Sequence, residues 1–67
     1  MKVLLNGVER ELAGTTVADA VEAVAGDPER RGIAVALDGE VVPRGRWADT
    51  ALSEGQAVEV LEVRQGG

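Results

Sequence analysis

The sequence ends in Arg64, Gln65, Gly66 and Gly67, and this is the stretch whose residue types could do chemistry. Two glycines without Cβ atoms can thread a channel too narrow for other side chains and take backbone angles barred to them. The α-carboxylate of Gly67, with a reference pKa of about 3.3–3.7, is ionised at neutral pH and available as a nucleophile. Attack on the α-phosphate of ATP would turn it into an acyl adenylate, a mixed anhydride with a good leaving group. A sulfur nucleophile could then displace AMP and leave a thiocarboxylate. Residues 64–67 can extend about 13–14 Å, at about 3.3–3.6 Å per residue, far enough to reach into another protein's active site. The plain alternative is a frayed terminus with no role.

What the sequence lacks narrows the choice. It contains no Cys and no His, so disulfides, thiolate chemistry, the usual metal ligand and the usual general base are all missing. The hydroxyls are Thr15, Thr16, Thr50 and Ser53, with no imidazole to activate any of them. A sulfur atom could not ride on this chain as a cysteine persulfide, which leaves the terminus. The nearest acid pairs, Glu9 with Glu11, Asp38 with Glu40 and Glu59 with Glu62, are expected on strands or turns that point to water. At this length no desolvating pocket is expected around them. None of the nine glycines builds GxGxxG or GxxxxGK[ST], so nothing cradles a nucleotide. The expectation is a chain that is no enzyme on its own and binds no metal or cofactor.

Twelve acids against seven bases leave a net charge of -5. That balance repels phosphate backbones and argues against nucleic acid, while a basic protein surface would suit it. The chain lacks the basic-then-apolar start of a signal peptide, and its apolar runs are far shorter than a membrane span. A soluble, cytoplasmic protein, monomeric when free, is the expectation.

The elements that must carry the tail follow from punctuation and period. Sixty-seven residues lie near the lower limit for one hydrophobic core. "KVLL" and "VEREL" flank Asn6-Gly7, a strong hairpin signal because both turn positions favour positive φ. Val3 and Leu5 share one face by the two-residue period, as do Val8 and Leu12. Val17, Ala20, Val21 and Val24 form the stripe of an amphipathic helix of about three turns. Thr16 caps it with Asp19 three residues on, and Gly26 ends it. Asp19 and Glu22 are expected to be ordinary surface acids, and Arg30-Arg31, in the polar loop "DPERRG", a solvated pair. "IAVALD" reads as a buried, central strand. Asp38-Gly39 turns it into "EVV", a strand near an edge that Pro43 ends.

"RGRWADTALSEG" has no clear period and is expected as loop, with one helical turn around Trp47 to Leu52. Trp47 is the one aromatic residue. It could cap the core or, with Arg44 and Arg46, anchor a partner; capping ranks first for Trp47, and the arginines fit either use. Gly55 turns the chain into "AVEVLEV", with Val58 and Val60 inward. Leu61 and Val63 have the opposite parity, so this strand is either covered on both faces or bulged. The order strand, strand, helix, strand, strand, strand predicts an α+β domain, a mixed sheet of about five strands wrapping one helix. Residues 1–63 form the domain and 64–67 a flexible tail.

With these residues in hand the chain resembles the ThiS family, the ubiquitin-like sulfur carriers of bacterial thiazole (thiamine) biosynthesis. The resemblance rests on "VLLNG", "TVADAV", "IAVALDGEVVPRGRW", "LSEGQAVEV" and the final "GG", and its specific part is Val-Pro-Arg-x-x-Trp followed by Leu-x-x-Gly and terminal Gly-Gly. It implies a β-grasp fold. It also implies that a ThiF-type enzyme, using ATP and a sulfur donor, adenylates the Gly67 carboxylate and converts it to a thiocarboxylate, and that thiazole synthase, ThiG, receives the sulfur. Gly66 then threads, and Gln65, Arg64, Arg44 and Trp47 are the positions for partner contact. Gln56 departs from the aspartate frequent after this turn glycine, and Asp38 stands where asparagine is common; both are expected to touch the fold and not the chemistry. The small subunit of molybdopterin synthase shares fold and tail chemistry but is usually longer and lacks the "VPRxxW" string. A ubiquitin-like modifier or passive binding module is the alternative of a different class.

Overall fold

The computed structural model describes residues 1–27 and 29–63. Two hairpins frame it, and both turn where an Asn-Gly or Asp-Gly pair enters the left-handed region. Asn6 and Gly7 have φ of 51° and 79°, Asp38 and Gly39 of 49° and 87°. The first turn joins β1 (Lys2–Leu5) to β2 (Val8–Glu11), antiparallel with Leu5 opposite Val8. The second joins β3 (Ile33–Leu37) to β4 (Glu40–Val42), antiparallel with Leu37 opposite Glu40. The last strand, β5 (Ala57–Glu62), inserts between the hairpins, parallel to β1 and antiparallel to β3. The order β2-β1-β5-β3-β4 is a five-stranded mixed sheet, as the α+β, β-grasp reading requires.

Helix α1 (Val17–Ala25) lies on one face of this sheet. Val17, Ala20 and Val21 are fully buried against Val3, Leu5, Val35, Val58 and Val60. Each Val or Leu side chain so removed from water contributes about 1.5–3 kcal/mol. Val24 completes the periodic stripe yet is 41% exposed, because the helix ends one residue later and its last turn overhangs the core. The same limit applies to β2. Val8 and Leu12 have the same parity, but Val8, on the outermost strand, is exposed while Leu12 is buried.

The helix start is closed by two independent means. Thr16 and Asp19 form a capping box: the Asp19 carboxylate accepts from the backbone N–H groups of Thr15 and Thr16 at 2.9 and 3.0 Å and from the Thr16 hydroxyl at 2.9 Å. Asp19 is therefore a structural acceptor and more than a surface acid. The first-turn N–H groups of Val17 and Ala18 donate instead to the carbonyls of Thr50 and Trp47, at 3.0 and 3.1 Å. A helix N-terminus normally offers its unpaired N–H groups to an anion; here the chain's own carbonyls and the capping box take them. At the other end Gly26 has φ 81° and donates to the Glu22 carbonyl, the left-handed cap expected of glycine.

Three expectations need correction. The helical turn of the "RGRW" region is a 3-10 turn at Arg44–Arg46 with Trp47 as its cap, earlier than the span Trp47 to Leu52, because Pro43 presets the φ that starts it. β3 has a neighbour on each side, but the central strand is β5, and of β3 only Val35 is fully buried. β5 itself is neither bulged nor covered twice: its register with β3 runs unbroken from Leu37 opposite Val58 to Ile33 opposite Glu62. Val58 and Val60 are buried and Leu61 is 54% exposed. The helix packs on only one face of the sheet, so the odd-numbered residues of β5 face away from it.

Candidate functional site

Gly67, Gly66, Gln65 and Arg64 lie outside the described residues, so the site is built from what surrounds its root. β5 delivers the chain to Val63, whose N–H donates to the Gly32 carbonyl. Gly32 has φ 76°, and a Cβ there would sit 2.9 Å from the Val63 carbonyl oxygen. Both the backbone angle and the close approach demand glycine. The loop before β3 and the end of β5 are thus held backbone to backbone where residues 64–67 begin.

Side chains reinforce this point. Arg30 donates to the carboxylate of Glu62, forming an ion pair across the loop, so the expectation of a merely solvated Arg30 is corrected. Arg44 donates to the Arg30 carbonyl and stacks its guanidinium over the Trp47 ring, 4.4 Å from the centroid. Trp47 is 3% exposed, and its indole N–H donates to the Val42 carbonyl at 2.8 Å. The structure places Trp47 in the core as a cap, with almost no surface to offer a partner, and Arg44 on top of it. The tail positions named from the sequence were not linked there to Arg30, Glu62 or Gly32. The signal was faint: a glycine immediately before a strand and opposite charges separated by thirty-two positions.

The sheet face turned away from the helix begins at the same root. It carries Leu4, Ala34, Ala36, Val41, Ala57 and Leu61, of which Val41 is 78% and Leu4 42% exposed. A surface groove runs along it, lined by Leu4, Asn6, Ala57, Glu59 and Leu61. The parity of Leu61 and Val63 was its trace in the sequence.

The acid pairs do not assemble into a reaction centre. Glu11 accepts from the terminal ammonium of Met1 at 2.8 Å, which holds its carboxyl below the ordinary value. The backbone N–H of Thr16, followed by its hydroxyl, does the same for Asp19. Both shifts run opposite to the raised value a general acid needs. Asp38 accepts from Gln56 and Glu62 from Arg30. Among the described residues no three acids gather in a way that could hold a metal ion, and no helix is long and apolar enough to cross a membrane.

Comparison with known proteins agrees with this architecture. The model of the ThiS family matches residues 3–67. The chain is 31% identical to the sulfur carrier protein ThiS of Escherichia coli, over the full length of both. It is similar to the crystal structure of the thiamine biosynthesis protein ThiS from Geobacter metallireducens, with a TM-score of 0.77, 28% identity and full coverage of both chains. The solution structure of a thiamine biosynthesis protein from the same organism gives a TM-score of 0.73 at 28% identity, covering all of this chain and 88% of that one.

Proposed function

The chain belongs to the ThiS family, and on that premise we propose that it is a sulfur carrier of thiamine biosynthesis whose working group is the carboxylate of Gly67. The observation that carries this reading is the family match, which runs through the terminal Gly-Gly and not only through the folded body. The full-length alignment with a relative named as a sulfur carrier supports it.

In the proposed cycle a ThiF-type enzyme binds the domain and takes Gly66-Gly67 into its active site. A carboxylate oxygen of Gly67 attacks the α-phosphorus of ATP, pyrophosphate leaves, and an acyl adenylate forms. A sulfide equivalent, drawn originally from cysteine through a desulfurase, adds to the acyl carbon, and AMP leaves with the electron pair of the broken C–O bond. The Gly67 thiocarboxylate then delivers its sulfur to a thiazole synthase of the ThiG type. This chain contributes the nucleophilic carboxylate, a side-chain-free approach to it, and a rigid body for the enzymes to grip. ATP and the sulfur donor belong to the partner's chemistry.

Incubating the protein with its adenylating enzyme, ATP and a sulfur source, then reading the intact mass, tests the reading. An oxygen-to-sulfur exchange localised to Gly67 is the expected result. Absence of both adenylate and thiocarboxylate with a demonstrably active enzyme would sink it. A ubiquitin-like modifier would instead appear linked to a lysine of another protein, and a passive module would tolerate deletion of residues 64–67.

A further inference from the structure

Among its described residues, the loop that holds Val63 has no apolar anchor of its own. Glu29, Arg30, Arg31 and Gly32 are all exposed, and within the loop the Arg30 N–H donates to the Asp27 carbonyl and the Glu29 N–H to the Asp27 carboxylate. What ties this exposed loop to the body is a relay. Trp47 is fixed in the core and by its bond to Val42; Arg44 stacks on Trp47 and donates to the Arg30 carbonyl; Arg30 pairs with Glu62, the last residue of β5. Gly32 then closes the path by accepting from Val63.

Exposed ion pairs and polar contacts of this kind add little to global stability. Their effect here is on position. Up to about 13–14 Å of chain can extend beyond Val63, so the place and direction in which Val63 is held set the region that the terminus can search. A root that wanders spreads the terminus over more starting positions, so fewer encounters with a partner begin from a productive one.

We propose that Trp47, Arg44, Arg30 and Glu62 form a latch that holds Val63 against Gly32 and thereby sets where the reactive terminus starts from, making Arg44 and Glu62 positioning residues for the reaction at Gly67. The proposal rests on the sulfur-carrier reading for its consequence, but the latch itself can be measured in the free protein. It also gives the "VPRGRW" string a use that neither core capping nor direct partner contact supplies: its arginine transmits the rigidity of the tryptophan to the end of β5.

The experiment compares the full chain with Arg44→Ala, Glu62→Lys and the swapped pair Arg30→Glu/Glu62→Lys. Amide hydrogen exchange at Val63 is read in the free protein, and KM and kcat for adenylation with the partner enzyme. Exchange at Val63 is expected to speed up about five- to tenfold in both single variants while core amides stay protected, and to return toward wild type in the swap. KM for the carrier is expected to rise about three- to tenfold with kcat held within about twofold, because fewer molecules present a correctly placed tail. Unchanged exchange at Val63 overturns the latch, as does a raised KM without faster exchange, which would mean that Arg44 touches the partner directly. Faster exchange with unaltered KM overturns the positioning role. If Arg44→Ala loses its fold, Glu62→Lys and the swap carry the test. A wild-type chain that acquires no sulfur defeats the sulfur-carrier reading and not the latch, which the exchange data decide separately.

Discussion

The side chains of Gln56 and Asp38 meet at the base of β5, where Nε2 of Gln56 donates to Oδ2 of Asp38 at 2.8 Å. The other end of the same amide accepts from the Ser53 N–H at 2.8 Å, so one glutamine joins the turn before β5 to the turn between β3 and β4. These are the two positions at which the resemblance drawn from the sequence implied an aspartate and an asparagine. In the fold they are partners. An acceptor at 38 is matched by a donor at 56.

Gln56→Asp alone should then place two carboxylates side by side and destabilise the domain by about 1 kcal/mol, because like charges in contact replace a hydrogen bond. Adding Asp38→Asn should recover most of that loss. Urea unfolding of the two single variants and the double variant measures the coupling, expected at about 0.5–1 kcal/mol for so exposed a pair.

The two faces of β5 should respond to mutation in opposite ways. Val58→Ala removes fully buried methyl groups beneath α1 and should cost about 2 kcal/mol, from lost transfer energy plus the cavity left behind. Leu61→Gln, three positions on but on the open face, should shift stability by no more than about 0.5 kcal/mol. Thermal melts followed by circular dichroism separate them, with about 4–8 °C per kcal/mol expected for a domain of this size.

The capping box predicts a pH dependence. Asp19 has a folded-state pKa below its ordinary value of 3.8, so the folded state binds that proton less readily than the unfolded chain. The stabilisation is fully present above about 3.8 and is lost as pH falls through the lower folded value. Asp19→Asn should flatten the acid limb of the stability curve below pH 4 and leave its slope near neutrality unchanged. Gly14→Ala should act on the same box by another route: its Cβ would fall 2.1 Å from the Asp19 carboxyl, and driving that carboxyl out should cost about 1 kcal/mol, the usual worth of a cap. Melts between pH 2 and 7 check both.

Trp47→Phe should retain most of the packing but leave the Val42 carbonyl without its indole donor and Arg44 with a weaker aromatic surface. A loss of about 1–2 kcal/mol is expected, against about 3–5 kcal/mol for Trp47→Ala, which is enough to unfold a marginal domain. Guanidinium titrations followed by circular dichroism distinguish the two.

One residue appended after Gly67 should abolish sulfur transfer without touching the fold. On the proposed reading, the working carboxylate would then sit on the added residue, one position too far along. Intact mass after incubation with the adenylating enzyme should show no sulfur on such a variant while its melting curve overlays that of the parent.

Local features were legible from residue order because their physics is local. Asn6-Gly7 and Asp38-Gly39 turn where positive φ is tolerated, Thr16 and Asp19 cap the helix three residues apart, and Val3, Leu5, Val58 and Val60 follow the period of two. The absence of Cys and His and the Gly66-Gly67 ending are properties of composition and needed no fold to be read. Asn6 shows where that reading stops. Beyond turning the chain, its side-chain amide donates to the Val60 carbonyl at 3.1 Å and accepts from the Val60 N–H at 2.8 Å, extending the parallel pairing of β1 with β5 by one residue-like step. No local pattern announces a partner fifty-four positions away.

The strand order had the same obstacle. Placing β5 between β1 and β3 makes it the central strand, and helix α1, on the other face, leaves Leu4, Val41 and Leu61 exposed. Periodicity reports that a residue alternates or recurs, but burial depends on what another part of the chain places above it, which is why Val8 and Val24 match their patterns and are nonetheless exposed. The relay from Trp47 through Arg44 and Arg30 to Glu62 likewise exists only once loop, turn and strand end converge. Composition and short-range stereochemistry sufficed for the turns, the capped helix and the candidate terminus. The long-range closure of the sheet determined which faces are covered and how the root of that terminus is held.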